Sequence, residues 1–156
     1  GLIMALTFGF NTARDLLSKL ERDATLLLDE SVTGDRFMNF VLTGYALIDW
    51  IKNDPAVPGA AKQHSVVHAL YADRALKVCG DLANSVKHFT LTSRMPITRD
   101  ADTESGFGVG RYGTGGYGEG EEEIVITLND GTVLNALDFV QDVLTVWKTF
   151  FVAHAL

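Results

Sequence analysis

Apolar residues recur at every third or fourth position through most of the first half of the sequence. That spacing puts them on one face of an α-helix, which must then be buried against another element. The first such segment spans residues 12 to 30, with Asn11-Thr12 as the N-cap and Asp15 in an acidic first turn. Its apolar positions are Ala13, Leu16, Leu20, Ala24 and Leu27.

Three further helices are predicted by the same spacing. Asp35 caps the second, which ends at Asn53-Asp54-Pro55 because the residue before a proline disfavours helical backbone. Residues 60 to 73 form a shorter third helix with Val67, Leu70 and Tyr71 on one buried edge, and Asp73 caps a fourth that runs to about Phe89. The second helix has an unusually wide apolar face, made of Phe37, Phe40, Val41, Leu47, Ile48 and Ile51.

The C-terminal part of the chain predicts a β-hairpin followed by a fifth helix. Asn129-Asp130-Gly131 lies between two β-prone runs, so we expect strands over residues 122 to 134 joined by a type I′ turn with Asp-Gly at its centre. An isolated hairpin is marginal in water, so it should pack on the helices or on a second copy. Asn135 caps the last helix, and its apolar face comprises Leu137, Val140, Val143, Leu144, Trp147, Phe150 and Phe151.

Between the fourth helix and the hairpin, the composition changes to glycine. Residues 104 to 120 hold more than half of the 15 glycines, and we expect loop from Thr90 onward because glycine is costly to order and this stretch has little to bury. The predicted fold is mainly α: about five helices in a bundle, one β-hairpin and a glycine-rich loop. Residues 4 to 156 are expected to form one domain, with Gly1-Leu2-Ile3 as a cloning remnant.

Charge and cysteine content make several functional classes less favourable. The formal charge of −7 repels phosphate backbones and disfavours RNA as a partner. The single cysteine, Cys79, lies among apolar positions and predicts an inert core thiol in a reducing compartment. No apolar run approaches the roughly 20 residues that a membrane span needs, so we expect a cytoplasmic protein without a membrane partner. The chain suggests no cofactor and no metal.

Polar residues on the predicted fourth helix form the main candidate site. Lys77, Asp81, Asn84 and His88 line up on the side opposite the apolar face, an arrangement seen in acid-base catalysis and equally on any solvated helix face. The residues of that apolar face are Leu76, Cys79, Leu82, Ala83, Val86 and Phe89. A catalytic role falls on His88, Asp81 and Lys87. A binding role falls on Lys77, Asn84 and Arg94, with Arg111 and Tyr112 as a cationic and aromatic arm in the glycine-rich loop.

Two other patterns carry weaker signals. His64 and His68 stand four residues apart on a predicted helix, as in some metal sites, but two ligands do not complete one. The segment 108 to 113 matches the letters GxGxxG without the preceding strand and following helix that a dinucleotide fingerprint needs.

The stretch "DLANSVKHF", residues 81 to 89, resembles small bacterial and phage-borne proteins of the HEPN-like kind. This resemblance implies a four- or five-helix bundle that dimerises through its long helices, in a superfamily with RNases, toxins and phage-defence components. His88 is the histidine that carries over. The RNase members have an arginine four to six residues before that histidine, and no arginine lies four to six residues before His88.

These observations favour a non-enzymatic helical binding protein. The wide apolar faces of the second and fifth helices predict a homodimer, and the polar stripe with the glycine-rich arm predicts a surface for a protein or small ligand. The resemblance suggests a bacterial toxin–antitoxin or phage-defence setting. The alternative is a divergent HEPN-like ribonuclease or nucleotide-handling enzyme that uses His88.

Overall fold

The computed structural model describes residues 8–87, 98–105 and 122–156, and these residues are mainly helical. They confirm the predicted mainly-α fold with one β-hairpin. A π-helical turn, Leu26–Glu30, extends the first helix, and a 3-10 turn, Gly59–Lys62, precedes the third. The elements are α1 Ala13–Thr25, α2 Gly34–Asn53, α3 His64–Ala72, α4 Arg74–Lys87, β1 Thr98–Ser105, β2 Glu122–Leu128, β3 Val133–Asn135 and α5 Ala136–Ala153.

Side-chain caps begin three of the helices where the sequence predicts them. At α1, the Thr12 hydroxyl accepts from the Asp15 N–H at 3.1 Å, and the Asp15 carboxylate accepts from the Thr12 N–H at 3.2 Å. This reciprocal pair is a capping box, which satisfies N–H groups that have no partner inside the helix. Asn135 caps α5, and Asp73 accepts from the Leu76 N–H in the first turn of α4.

The cap of α2 differs from the prediction. Thr33, with extended backbone, accepts from the Arg36 N–H at 3.2 Å, and Asp35 lies inside the first turn. Threonine at this position suits the N-cap because its hydroxyl reaches the third N–H of the helix. The prediction of Asp35 as the cap was therefore wrong by two residues.

The core joins α2, α4 and α5. Helix α2 packs against α1 and α4, and α5 packs against α1, α2, α4 and the strands β2 and β3. Trp147 on α5 is fully buried, and its indole N–H donates to the Gly44 carbonyl of α2 at 2.9 Å. The wide apolar faces that predicted an oligomer interface are thus mostly buried within one chain; their fully or nearly fully buried residues are Phe40, Val41, Leu47, Ile48, Ile51, Val140, Val143, Trp147 and Phe151.

The three strands form one antiparallel sheet in the order β1-β2-β3. Ile124, Ile126 and Leu128 are buried at alternate positions of β2, which puts them on the sheet face toward the helices. Strand β1 lies in the region predicted to be loop from Thr90 onward. That prediction failed because the stretch has little apolar content of its own, and its order comes from pairing with β2 along a register from Thr98↔Leu128 to Ser105↔Glu122.

The hairpin turn has a different type from the one predicted. Gly131 has φ +89°, whereas neither Asn129 nor Asp130 adopts a positive φ, which a type I′ turn requires at both central residues. The Gly131 N–H donates to the Leu128 carbonyl at 3.0 Å, and the Leu128 N–H donates to the Thr132 carbonyl at 2.8 Å. This is a three-residue loop in which glycine takes the left-handed position after a tight turn.

Candidate functional site

The predicted polar stripe on α4 is only partly exposed. Lys77 and Asn84 are half-buried, and the Asn84 amide donates to the Gly80 carbonyl at 2.9 Å. Asp81 is only 2% exposed, which contradicts an outward-facing stripe at that position. The apolar side of the same helix is confirmed at Leu76, Cys79, Leu82 and Ala83, which are all buried.

Asp81 is buried because α4 is covered on more than one side. The helix contacts α2, α3, α5 and β1, so Val78 is also fully buried although it lies outside the predicted apolar face. The Asp81 carboxyl oxygen Oδ2 accepts from the buried Thr98 N–H at 2.8 Å. This hydrogen bond joins α4 to β1, and the helical spacing of polar residues in the sequence does not predict it.

Several predicted site residues fall outside the described part of the chain. These are His88, Arg94, Arg111 and Tyr112, together with the side chain of Lys87. The glycine-rich segment from 106 onward and the predicted end of the fourth helix at Phe89 also lie there. The structure therefore places Lys77, Asp81 and Asn84 on one helix and leaves the other candidates without a structural test.

Cys79 is confirmed as a core thiol. It is fully buried, and burial raises its pKa well above the ordinary thiol range, with a smaller contribution from the negative charge of Asp73. Because the thiolate is the reactive form of cysteine, this environment disfavours a nucleophilic role.

Helix α3 is less buried than the sequence predicts. Leu70 is the one buried residue of this helix, while Val67 is half-buried and Tyr71 is 38% exposed, so the predicted buried edge is narrower than expected.

Two surface pockets lie on opposite sides of α3. On a helix of 3.6 residues per turn, positions i, i+3, i+4 and i+7 share a face. One pocket, of about 460 Å³, is called the lysine pocket here and is lined by Lys52, Lys62, His64, Val67, His68 and Tyr71.

The lysine pocket combines positive charge with aromatic surface. The Lys52 ammonium lies 5.6 Å from the centre of the Tyr71 ring, and Tyr71 makes an edge-to-face contact with Tyr45 at 6.5 Å. The Lys62 ammonium donates to the Asp54 carbonyl at 2.6 Å, which holds it beside the end of α2. Helix α2 and the 3-10 turn thus bring both lysines to the face of α3 that carries His64 and His68.

The two histidines lie next to each other with nearly parallel rings. Their ring centres are 6.1 Å apart and their planes differ by 15°. Among the described residues, no group of three or more histidine, cysteine, aspartate or glutamate side chains is arranged to hold a metal ion. The other polar side chains among the residues that line the pocket are Lys52, Lys62 and Tyr71.

The second pocket, of about 340 Å³, brings a serine, an aspartate and a histidine to one surface. Ser65, Asp73 and His154 line it, together with Val66, Ala69, Leu70 and Phe150. Ser65 and Asp73 are eight positions apart along the helix, or about 12 Å at 1.5 Å per residue. The Asp73 carboxylate accepts a hydrogen bond from the Leu76 N–H, and the ring of His154 packs on the ring of Phe150 with their centres 4.4 Å apart. No described hydrogen bond joins Ser65 to His154, so the pocket does not show a nucleophile paired with its base.

Sequence reasoning singled out His64 and His68 and missed the rest of the lysine pocket. The spacing of His64, Val67, His68 and Tyr71 is a sequence signal for one common helix face. Lys52 has no such signal, since its place in the pocket depends on how α2 packs against α3.

A scan against protein-family models, a search of curated proteins and a search of solved structures found no match to this chain. Among the described residues, no helix has the length and apolar content to span a membrane.

Proposed function

We propose that this chain is a non-enzymatic helical binding protein whose ligand site is the lysine pocket. The observation that carries the proposal is the composition of that pocket: two lysines, two histidines, one tyrosine and one valine converge on a concavity of about 460 Å³. Ligand sites in proteins are concave, partly apolar and lined by a few polar groups that fix orientation, with volumes of about 300 to 1,000 Å³.

The described residues support binding better than catalysis. The Asp81 carboxylate accepts from the Thr98 backbone, Cys79 is buried in the core, and no described hydrogen bond joins Ser65 to His154. None of these three arrangements puts a nucleophile within hydrogen-bond reach of a base, which covalent catalysis requires.

Fragment screening by nitrogen-15 NMR tests the proposal. A library of neutral, anionic and cationic fragments is added to the labelled protein, and we expect the hits to shift the amide signals of Lys52, Lys62 and residues 64 to 71. Tyr71→Ala removes an aromatic wall and should weaken those hits by at least about ten-fold, which corresponds to about 1.4 kcal/mol.

Ser65→Ala is the matched control, because Ser65 lies on the same helix but lines the other pocket. It should leave affinity unchanged. Hits that shift only signals far from α3, or that bind equally well to Tyr71→Ala, would show that the lysine pocket is not the ligand site.

A homodimer and a protein partner belong to the proposal as predictions from the sequence. The apolar faces of α2 and α5 no longer argue for the dimer, since they are mostly covered within one chain. Size-exclusion chromatography with light scattering at micromolar concentration tests it directly, and a mass of one chain would remove the dimer from the proposal.

The HEPN-like ribonuclease remains the alternative, within the predicted toxin–antitoxin or phage-defence setting. Its catalytic histidine, His88, lies outside the described residues. If this alternative holds, His88→Ala abolishes RNA cleavage or growth inhibition while the thermal melt stays nearly unchanged. Equal activity of the variant and the wild-type chain would end it.

A further inference from the structure

We infer that the lysine pocket selects an organic anion: a phosphate or carboxylate group carried on a flat aromatic body. This inference rests on the proposed function and adds the chemical class of the ligand. Three features of the pocket support it: the positive charge of its walls, two lysines that form no ion pair with a described carboxylate, and the aromatic side chains beside them.

The walls of the lysine pocket carry positive charge, unlike the chain as a whole. The chain carries a formal charge of −7, so an anion is repelled by the protein as a whole. None of the six residues lining the lysine pocket is acidic, and two of them are lysines. Asp49 of α2 and the buried Asp54 that follows the helix do not line the pocket, and their carboxylates accept from the Asn53 amide and from the Ala13 and Ala56 N–H groups.

Neither lysine of the pocket forms an ion pair with a carboxylate in the described part of the chain. The ion pairs described there include Lys19–Asp23 and Arg36–Glu30 and involve neither lysine of the pocket, and the Lys62 ammonium instead donates to the Asp54 backbone carbonyl. An ammonium has three donor hydrogens, so Lys62 retains two for a ligand. Lys52 is held over the Tyr71 ring, which leaves its charge available to an anion as well. An incoming anion therefore does not have to displace a carboxylate.

The size and the walls of the pocket indicate what the body of the ligand is. The pocket is much larger than a bare phosphate ion, and its remaining walls are Val67, Tyr71 and the two imidazole rings. Aromatic side chains bind flat rings by offset stacking or edge-to-face contact. A ligand with an aromatic ring beside its anionic group matches both parts of the pocket.

The same charges argue against a metal ion at His64 and His68. A divalent cation would be repelled by Lys52 and Lys62, and the pocket has no carboxylate to offset that repulsion. Two imidazoles also leave a zinc ion short of the three or four protein ligands that it usually has.

Titrations with simple probes test the ligand class on the intact chain. The probes are phenyl phosphate and benzoate as aromatic anions, inorganic phosphate as a bare anion, benzamide as a neutral ring, and benzamidine as a cationic ring. We expect phenyl phosphate and benzoate to shift the signals of residues 64 to 71 with at least five-fold higher affinity than inorganic phosphate or benzamide. Benzamidine should not bind, and the comparison of phenyl phosphate with benzoate decides which anionic group is preferred.

The double variant Lys52→Gln/Lys62→Gln should weaken phenyl phosphate and benzoate by at least ten-fold and remove the salt dependence of their binding. Lys148→Gln is the matched control, since Lys148 is exposed on α5 and does not line the pocket. Thermal melts of all variants establish that they are folded.

The outcomes separate this inference from the proposed function. If benzamide or benzamidine binds at residues 64 to 71 as tightly as benzoate, the pocket is a ligand site and the anion inference is wrong. If Zn²⁺ alone shifts the His64 and His68 signals and binds with higher affinity than any probe, the inference is also wrong. If neither these probes nor the fragment library shifts the pocket signals, the inference and the proposed function fall together.

Discussion

The Oδ2 atom of Asp81 lies 2.8 Å from the backbone nitrogen of Thr98, and this hydrogen bond joins the middle of α4 to the first residue of β1. Asp81 is 2% exposed and Thr98 is 9% exposed, so water does not compete freely for either group. A side chain that looks like part of a reactive surface in the sequence therefore anchors the sheet to the helices.

Asp81→Ala tests this anchor. The change leaves the buried Thr98 N–H without its acceptor, which typically costs about 1 to 3 kcal/mol. We expect a loss of stability in that range, measured by urea unfolding. Asp81→Asn keeps an acceptor oxygen and should lose less; an alanine variant as stable as the wild-type chain would show that the hydrogen bond contributes nothing.

Gly44→Ala tests the close approach of α2, α4 and α5. A Cβ atom at Gly44 would lie 3.2 Å from both Cys79 Sγ and Val143 Cγ1, and both neighbours are fully buried. Alanine gains about 1 kcal/mol of helix propensity, whereas overpacking typically costs about 1 to 3 kcal/mol. Because neither neighbour has a long side chain that can swing away, we expect a net loss of about 1 kcal/mol in urea unfolding.

A double-mutant cycle provides the control for Gly44. Val143→Ala removes the Cγ1 contact, so Gly44→Ala should cost less in that background than in the wild-type chain. Equal costs in both backgrounds would contradict the proposed clash with Val143.

Cys79 should be unreactive in the folded protein. Burial, with a smaller contribution from Asp73, raises its pKa, so the thiolate is scarce, and the sulfur has no access to a reagent. With a thiol-reactive dye at pH 8, we expect negligible labelling of the native chain and complete labelling of the single thiol in urea. Rapid labelling without denaturant would contradict the burial of this residue.

Asp15 should make the stability of α1 depend on pH. Hydrogen bonds from the Asn11 N–H and then from Thr12 lower the Asp15 pKa from its ordinary value of 3.8. Its folded pKa is below its unfolded pKa, so its contribution is present above pH 3.8 and is lost as the pH falls through the folded value. Asp15→Asn should be less stable than the wild-type chain at pH 7, and the difference should shrink toward pH 3. A difference independent of pH, measured by urea unfolding, would contradict this assignment.

Much of the helical framework follows from the sequence. The caps at Thr12, Asp73 and Asn135 act within a few residues, so the sequence contains both partners of each hydrogen bond. The burial of Leu47 and Trp147 follows from helical periodicity, because apolar side chains on one face have to leave water. The hairpin around Gly131 was likewise predictable in place, although its turn type depends on backbone angles that one dipeptide does not determine.

The contacts between distant segments required the tertiary structure. Strand β1 has little apolar content and is ordered by its pairing with β2, while Asp81 is covered by the elements packed around α4 and accepts from the Thr98 N–H, 17 residues away in the sequence. The lysine pocket depends on the same kind of relationship: periodicity groups His64 with His68, but only the packing of α2 beside α3 adds Lys52. Local hydrogen bonds and apolar periodicity are properties of short segments, whereas the surroundings of a polar side chain depend on which other segments pack beside it.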